Sequence, residues 1–152
     1  RYTIFTQGCF HDCKGCHNPG SHDLNGGYLK DVDEIINEIN SNPILDGVTI
    51  SGGEPLLINH RAALLQLLYY IKSNTTLNIM LYTGYEWEYL AERFDVDKSL
   101  KELLSLVDIL VDGKFILDQR SIDLNFKGSK NQRIIDVKKS MEEEKVVLRK
   151  DV

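Results

Sequence analysis

The chain has 152 residues, 42% hydrophobic and 27% charged, which suits one globular domain with a packed core. Its net charge of −5 argues against nucleic acid as the main partner. No apolar run reaches the ~18–20 residues of a membrane span, and no signal-peptide pattern is visible.

Tyr2-Thr3-Ile4-Phe5-Thr6 is rich in β-branched and aromatic residues and predicts a short strand. It leads into Gln7-Gly8-Cys9-Phe10-His11-Asp12-Cys13-Lys14-Gly15-Cys16-His17-Asn18, which holds all 3 cysteines of the chain as Cys-x3-Cys-x2-Cys. Three thiolates on one short loop can converge on one metal centre. A four-iron cluster normally takes four cysteines, so Cys9, Cys13 and Cys16 would leave one iron open to a substrate or second cofactor. The alternative is a structural Cys3His zinc site completed by His11, His17 or His22. Zinc sites more often pair Cys-x2-Cys with a distant second pair, and none exists here. An odd number of closely spaced cysteines argues against a disulfide framework, and this usage suits a reducing cytosol.

Asp31 reads as a helix N-cap with Glu34 as its capping-box partner. Val32, Ile35, Ile36 and Ile39 keep helical spacing, and Asn42-Pro43 ends the helix. Residues 47–51 predict a second strand, ending at Gly52-Gly53-Glu54-Pro55. A long apolar helix is expected over 59–73, a third strand over 77–83, and helices over 86–94 and 99–106. Residues 108–112 read as a buried fourth strand and 133–137 as a fifth. The last stretch, from Ser140, is charged and reads as a solvated helix or a disordered tail. The expected division is a domain over 1–137 and a tail over 138–152.

Alternating strands and helices imply an α/β fold with a mostly parallel sheet. A full (β/α)8 barrel takes ~250 residues, so a barrel of this length is incomplete. The cysteines, Gly52-Gly53-Glu54, Thr83-Gly84-Tyr85 and Asp112-Gly113-Lys114 each follow a predicted strand. In parallel α/β folds ligands sit at the carboxyl ends of strands, so these four stretches are expected on one face. Gly52 and Gly53 allow close backbone approach, and Glu54 adds a carboxylate suited to a cationic amino group. The plain alternative is a strand-to-helix turn. Asp112 and Lys114, two apart, point to one side of an extended chain, where a surface ion pair is the plain alternative.

The cysteine spacing resembles the signature of the radical S-adenosylmethionine (SAM) superfamily. More narrowly, the chain resembles the glycyl-radical activases of anaerobic ribonucleoside-triphosphate reductase. The resemblance rests on Gly8-Cys9-x3-Cys13-x-Gly15-Cys16-x-Asn18, Ser51-Gly52-Gly53-Glu54-Pro55-Leu56 and Tyr82-Thr83-Gly84-Tyr85. It continues in Val111-Asp112-Gly113-Lys114-Phe115 and Phe126-Lys127-Gly128-Ser129-x-Asn131-Gln132-Arg133. It implies an incomplete (β/α) barrel of the radical SAM type and a [4Fe–4S] cluster on Cys9, Cys13 and Cys16. The open iron would chelate the methionine end of SAM. Reductive cleavage would give a 5′-deoxyadenosyl radical, which takes hydrogen from a glycine of the large reductase subunit. It further implies that Gly15, Cys16 and His17 line SAM, that Gly52, Gly53 and Glu54 meet its amino group, and that Thr83 belongs to the same site. Asp112 would take the ribose hydroxyls and Lys114 the carboxylate. A one-electron donor such as flavodoxin, a cytoplasmic location and neither nucleic acid nor membrane complete the expectation. Two other classes are a different small radical SAM enzyme, such as a 7-carboxy-7-deazaguanine synthase, and a non-catalytic iron–sulfur or zinc protein.

Overall fold

The computed structural model describes residues 1–7, 30–121 and 126–149. Cys9, Cys13, Gly15, Cys16 and His17 lie outside the described residues. Among those described, five strands form one open sheet in sequential order: β1 (Tyr2–Thr6), β2 (Gly47–Gly52), β3 (Asn78–Tyr82), β4 (Ile109–Asp112) and β5 (Arg133–Asp136). The first four are parallel, and β5 runs antiparallel to β4 with Leu110 opposite Ile135. The sheet does not close, in keeping with an incomplete barrel, and β1 and β5 are its edges.

Between the strands run α1 (Val32–Asn40), α2 (Ile58–Asn74), α3 (Trp87–Ala91) and α4 (Lys98–Ser105); α5 (Val137–Glu143) follows β5. These helices pack on one sheet face. Val48, Ile50, Ile79, Leu81, Leu110 and Ile135 meet Ile39, Leu64, Leu68, Ile71, Trp87, Leu103 and Val137 there. The opposite face carries a smaller cluster of Met80, Ile109 and Val111 with Tyr82 and Ile134. The two-residue alternation of β3 and β4 thus divides each strand between two apolar environments, which is why both read as near-continuous apolar runs.

Element existence follows the sequence reading closely, and the differences are local. Asp31 is the N-cap of α1, but its side chain makes no capping bond. The N-cap of α4 is Asp97, whose carboxylate accepts from the Leu100 amide. The segment read as a charged tail is built into the fold as far as residue 149. Ser140 is fully buried, Met141 and Val146 pack on the core, and Ile135 bridges to Leu148. The Asp136 amide donates to Val147 and the Arg149 amide to Ile134, so the returning chain covers the outer edge of β5. High charge hid this docking, because the apolar residues after Ser140, Met141 and the short run Val146-Val147-Leu148, are too few to give a periodic pattern.

Candidate functional site

The register of β1 against β2 sets the first part of the site. Thr6 lies opposite Gly52, and the Gly53 amide donates to the Thr6 carbonyl at 2.9 Å. The chain therefore enters the cysteine segment beside the Gly52-Gly53-Glu54 turn. Gly52 has φ +101°, and a Cβ placed on it would lie 2.4 Å from the backbone N and O of Thr6. Only glycine satisfies both that conformation and the close contact between the strand ends.

Glu54 is 1% exposed. Its carboxylate accepts from the Thr83 hydroxyl at 2.9 Å, the Gly84 amide at 2.8 Å and the Leu56 amide at 2.9 Å. Glu54 thus ties the end of β2 to the end of β3. Thr83 is buried as well: its hydroxyl also accepts from the Tyr85 amide at 3.1 Å, and its own amide donates to Val111. Both residues brace the strand ends through these bonds. Arg61, near the start of α2, supports the same turn by donating to the Leu56 carbonyl at 2.8 Å and to Asp97 and Ser99 at 2.9 Å each. Its signal in the sequence is one arginine on the helix face shared by Leu64, Leu68 and Ile71.

The β4 end differs from the extended-chain expectation. Asp112 is 1% exposed and Lys114 is exposed, because Gly113 between them has φ +95° and turns the chain out of the strand. The two side chains do not share a side; period-two alternation stops where the strand does. Asp112 pairs with Arg133 of β5 instead, at 3.1 Å to Nε and 2.5 Å to a terminal nitrogen, and accepts from the Trp87 amide at 2.8 Å. Arg133 also holds Glu88 of α3, at 2.6 and 3.0 Å. The two carboxylates raise the Arg133 pKa, and the bond from Arg133 lowers that of Glu88. Both oxygens of Asp112 are thereby engaged within the protein, whereas the expectation gave them to ribose hydroxyls.

Gly52, Gly53, Glu54, Thr83, Asp112 and Lys114 are thus gathered at the carboxyl ends of β2, β3 and β4. That is the sheet end where β1 delivers the chain to Cys9. In open parallel α/β sheets this is the end at which ligands generally bind. A family model described as a 4Fe-4S single cluster domain matches residues 1–135.

Similar proteins narrow this class. An anaerobic ribonucleoside-triphosphate reductase-activating protein of Vibrio cholerae serotype O1 is 40% identical over 139 residues, 88% of this chain and 86% of its own. Proteins of the same name from Escherichia coli K12 and Enterobacteria phage T4 are 33% and 31% identical; the matches cover 87% and 88% of this chain and 85% and 82% of theirs. The chain belongs to the family of anaerobic ribonucleoside-triphosphate reductase-activating proteins, within the 4Fe-4S single-cluster domains.

Proposed function

We propose that this protein activates an anaerobic ribonucleoside-triphosphate reductase as a radical SAM enzyme, with Cys9, Cys13 and Cys16 holding a [4Fe–4S] cluster. The observation that carries this reading is the β1–β2 register, which sets the entrance of a three-thiolate segment against a glycine-rich turn at the ligand-binding end of a parallel sheet. The donor set fits: three thiolates leave one iron for a chelating cofactor. When bound, SAM cleaved by one electron from the cluster supplies the hydrogen abstraction that leaves a glycyl radical on the reductase.

The chain's own residues bind and orient. The Gly52-Gly53-Glu54 backbone receives the methionine amino group, while the Glu54 carboxylate and Thr83 keep the turn rigid. Lys114, outside the ion-pair cluster and exposed, receives the SAM carboxylate. Asp112, held by Arg133, orients the corner from which Lys114 projects. Gly15, Cys16 and His17 complete the SAM surface beside the cluster. The open sheet leaves an approach for a glycine-bearing loop of the reductase, and an electron donor such as flavodoxin fits a cytoplasmic enzyme of this kind.

The test is anaerobic reconstitution with iron, sulfide, SAM and dithionite, followed by electron paramagnetic resonance after adding the reductase. A glycyl-radical doublet is expected, and it should vanish when the reductase's acceptor glycine is changed to alanine or when any one of the three cysteines is replaced by alanine. One zinc per chain and no iron would sink the cluster. SAM cleavage without the doublet would instead favour a small-molecule radical enzyme.

A further inference from the structure

The Gly113–Lys114 turn is held by a second piece of chain. The Gln132 amide nitrogen donates to the Gly113 carbonyl at 2.9 Å, and its oxygen accepts from the amides of Gly128 at 2.7 Å and Ser129 at 3.2 Å. The Asn131 amide nitrogen donates to the Lys114 carbonyl at 2.8 Å, and its oxygen accepts from the Ser129 hydroxyl at 2.5 Å. Ser129 is fully buried and its hydroxyl also accepts from the Ile116 amide at 3.2 Å. The Gly113 amide in turn donates to the Tyr85 carbonyl at 3.1 Å. Gly113 sits at φ +95°, one of many conformations open to a glycine. Its flexibility must be removed from outside if Lys114 is to project in one direction.

We propose that Gln132 and Asn131 are positioning residues for SAM: by clasping the carbonyls of Gly113 and Lys114 they fix the turn that presents the Lys114 ammonium to the cofactor's carboxylate. This rests on the reading of Lys114 given above. In this chain the block Gly128-Ser129-x-Asn131-Gln132-Arg133 is bonded to Asp112-Gly113-Lys114. An ammonium held ready loses less freedom on binding than one carried by a loose turn.

The experiment is calorimetric titration of SAM into anaerobically reconstituted protein, with deuterium exchange of the amides of residues 113–116 read in parallel. Gln132→Glu retains an acceptor oxygen for Gly128 and Ser129 but replaces the donor to Gly113 with a charged acceptor. Asn131→Ala removes the donor to Lys114 without adding charge. Each should weaken SAM binding about tenfold, the scale of one buried hydrogen bond, and speed exchange across the turn. Lys114→Ala should weaken binding to a similar degree, and Gln132→Glu added to Lys114→Ala should cost nothing further. The proposal is overturned if Lys114→Ala weakens SAM while Gln132→Glu and Asn131→Ala bind it like wild type. It is equally overturned if the Gln132 effect persists in full without Lys114. Wild-type affinity in Lys114→Ala would remove Lys114 from the site, and the reading beneath the proposal would fall with it.

Discussion

Asp112 shows how a residue's partner decides its chemistry. A carboxylate at 1% exposure is costly unless paired, and Arg133 supplies the pair across the β4–β5 ladder. Arg133→Met removes that cation and leaves the buried carboxylate unpaired. It should destabilise the fold by about 3–5 kcal/mol, read as a lower denaturant midpoint. A midpoint within error of wild type would show that Asp112 does not depend on Arg133. Glu88 is the outer member of the trio, with 57% of its side chain exposed, so solvent screening keeps its share below about 1 kcal/mol. The bond from Arg133 lowers its folded pKa from the ordinary carboxylate value. A depressed carboxylate pKa stabilises the folded state above the unfolded value, and the gain is lost as pH falls through the folded value. Wild type and Glu88→Gln should therefore differ most in stability near neutral pH and converge in acid. A gap of constant size from pH 7 down to pH 3 would contradict this.

Among the elements, the returning chain after α5 is the one whose role the sequence hid. The Ser140 hydroxyl accepts from the Val147 amide at 2.9 Å inside the fold, and Glu144 closes α5 in the left-handed region at φ +55°. Ser140→Ala leaves that amide without its partner and should cost about 1–3 kcal/mol, seen in thermal melting. It should also raise proteolytic cutting after residue 140. An unchanged melting curve would mean that the segment contributes no stability where it lies. Periodicity placed the strands and most helices within a residue or two, because β-branched runs and amphipathic spacing are local properties; α3, however, ends at Ala91 rather than at residue 94. The direction of β5 was not legible locally: the same four residues pair equally well either way, and only the partner strand decides.

For the whole molecule, the described core is built from strands and helices outside the cysteine segment. Fold stability and cluster binding should therefore separate. Cys9→Ala should lose the cluster absorbance yet keep the far-ultraviolet circular dichroism of wild type and a cooperative melt. Collapse of the α/β signal in that variant would show instead that the metal organises the fold, as in small zinc domains. Among the described residues no helix is long and apolar enough to cross a membrane.

Read alone, the amino-acid order determined the three-thiolate spacing, the glycines after the second strand, the alternation of strands and helices and, among the described residues, the convergence of the stretches after the second, third and fourth strands on one sheet end. Each of these is set by neighbours within a few residues or by the rule that parallel strands share a ligand-binding end. The tertiary structure alone decided that Glu54 braces Thr83 and Gly84, that Asp112 belongs to Arg133 rather than beside Lys114, and that Asn131 and Gln132 hold the Gly113 turn. These pairings join residues from about 17 to 30 positions apart. A buried charge or a free backbone carbonyl takes whichever donor the packing brings within about 3 Å, and sequence spacing carries no record of that distance.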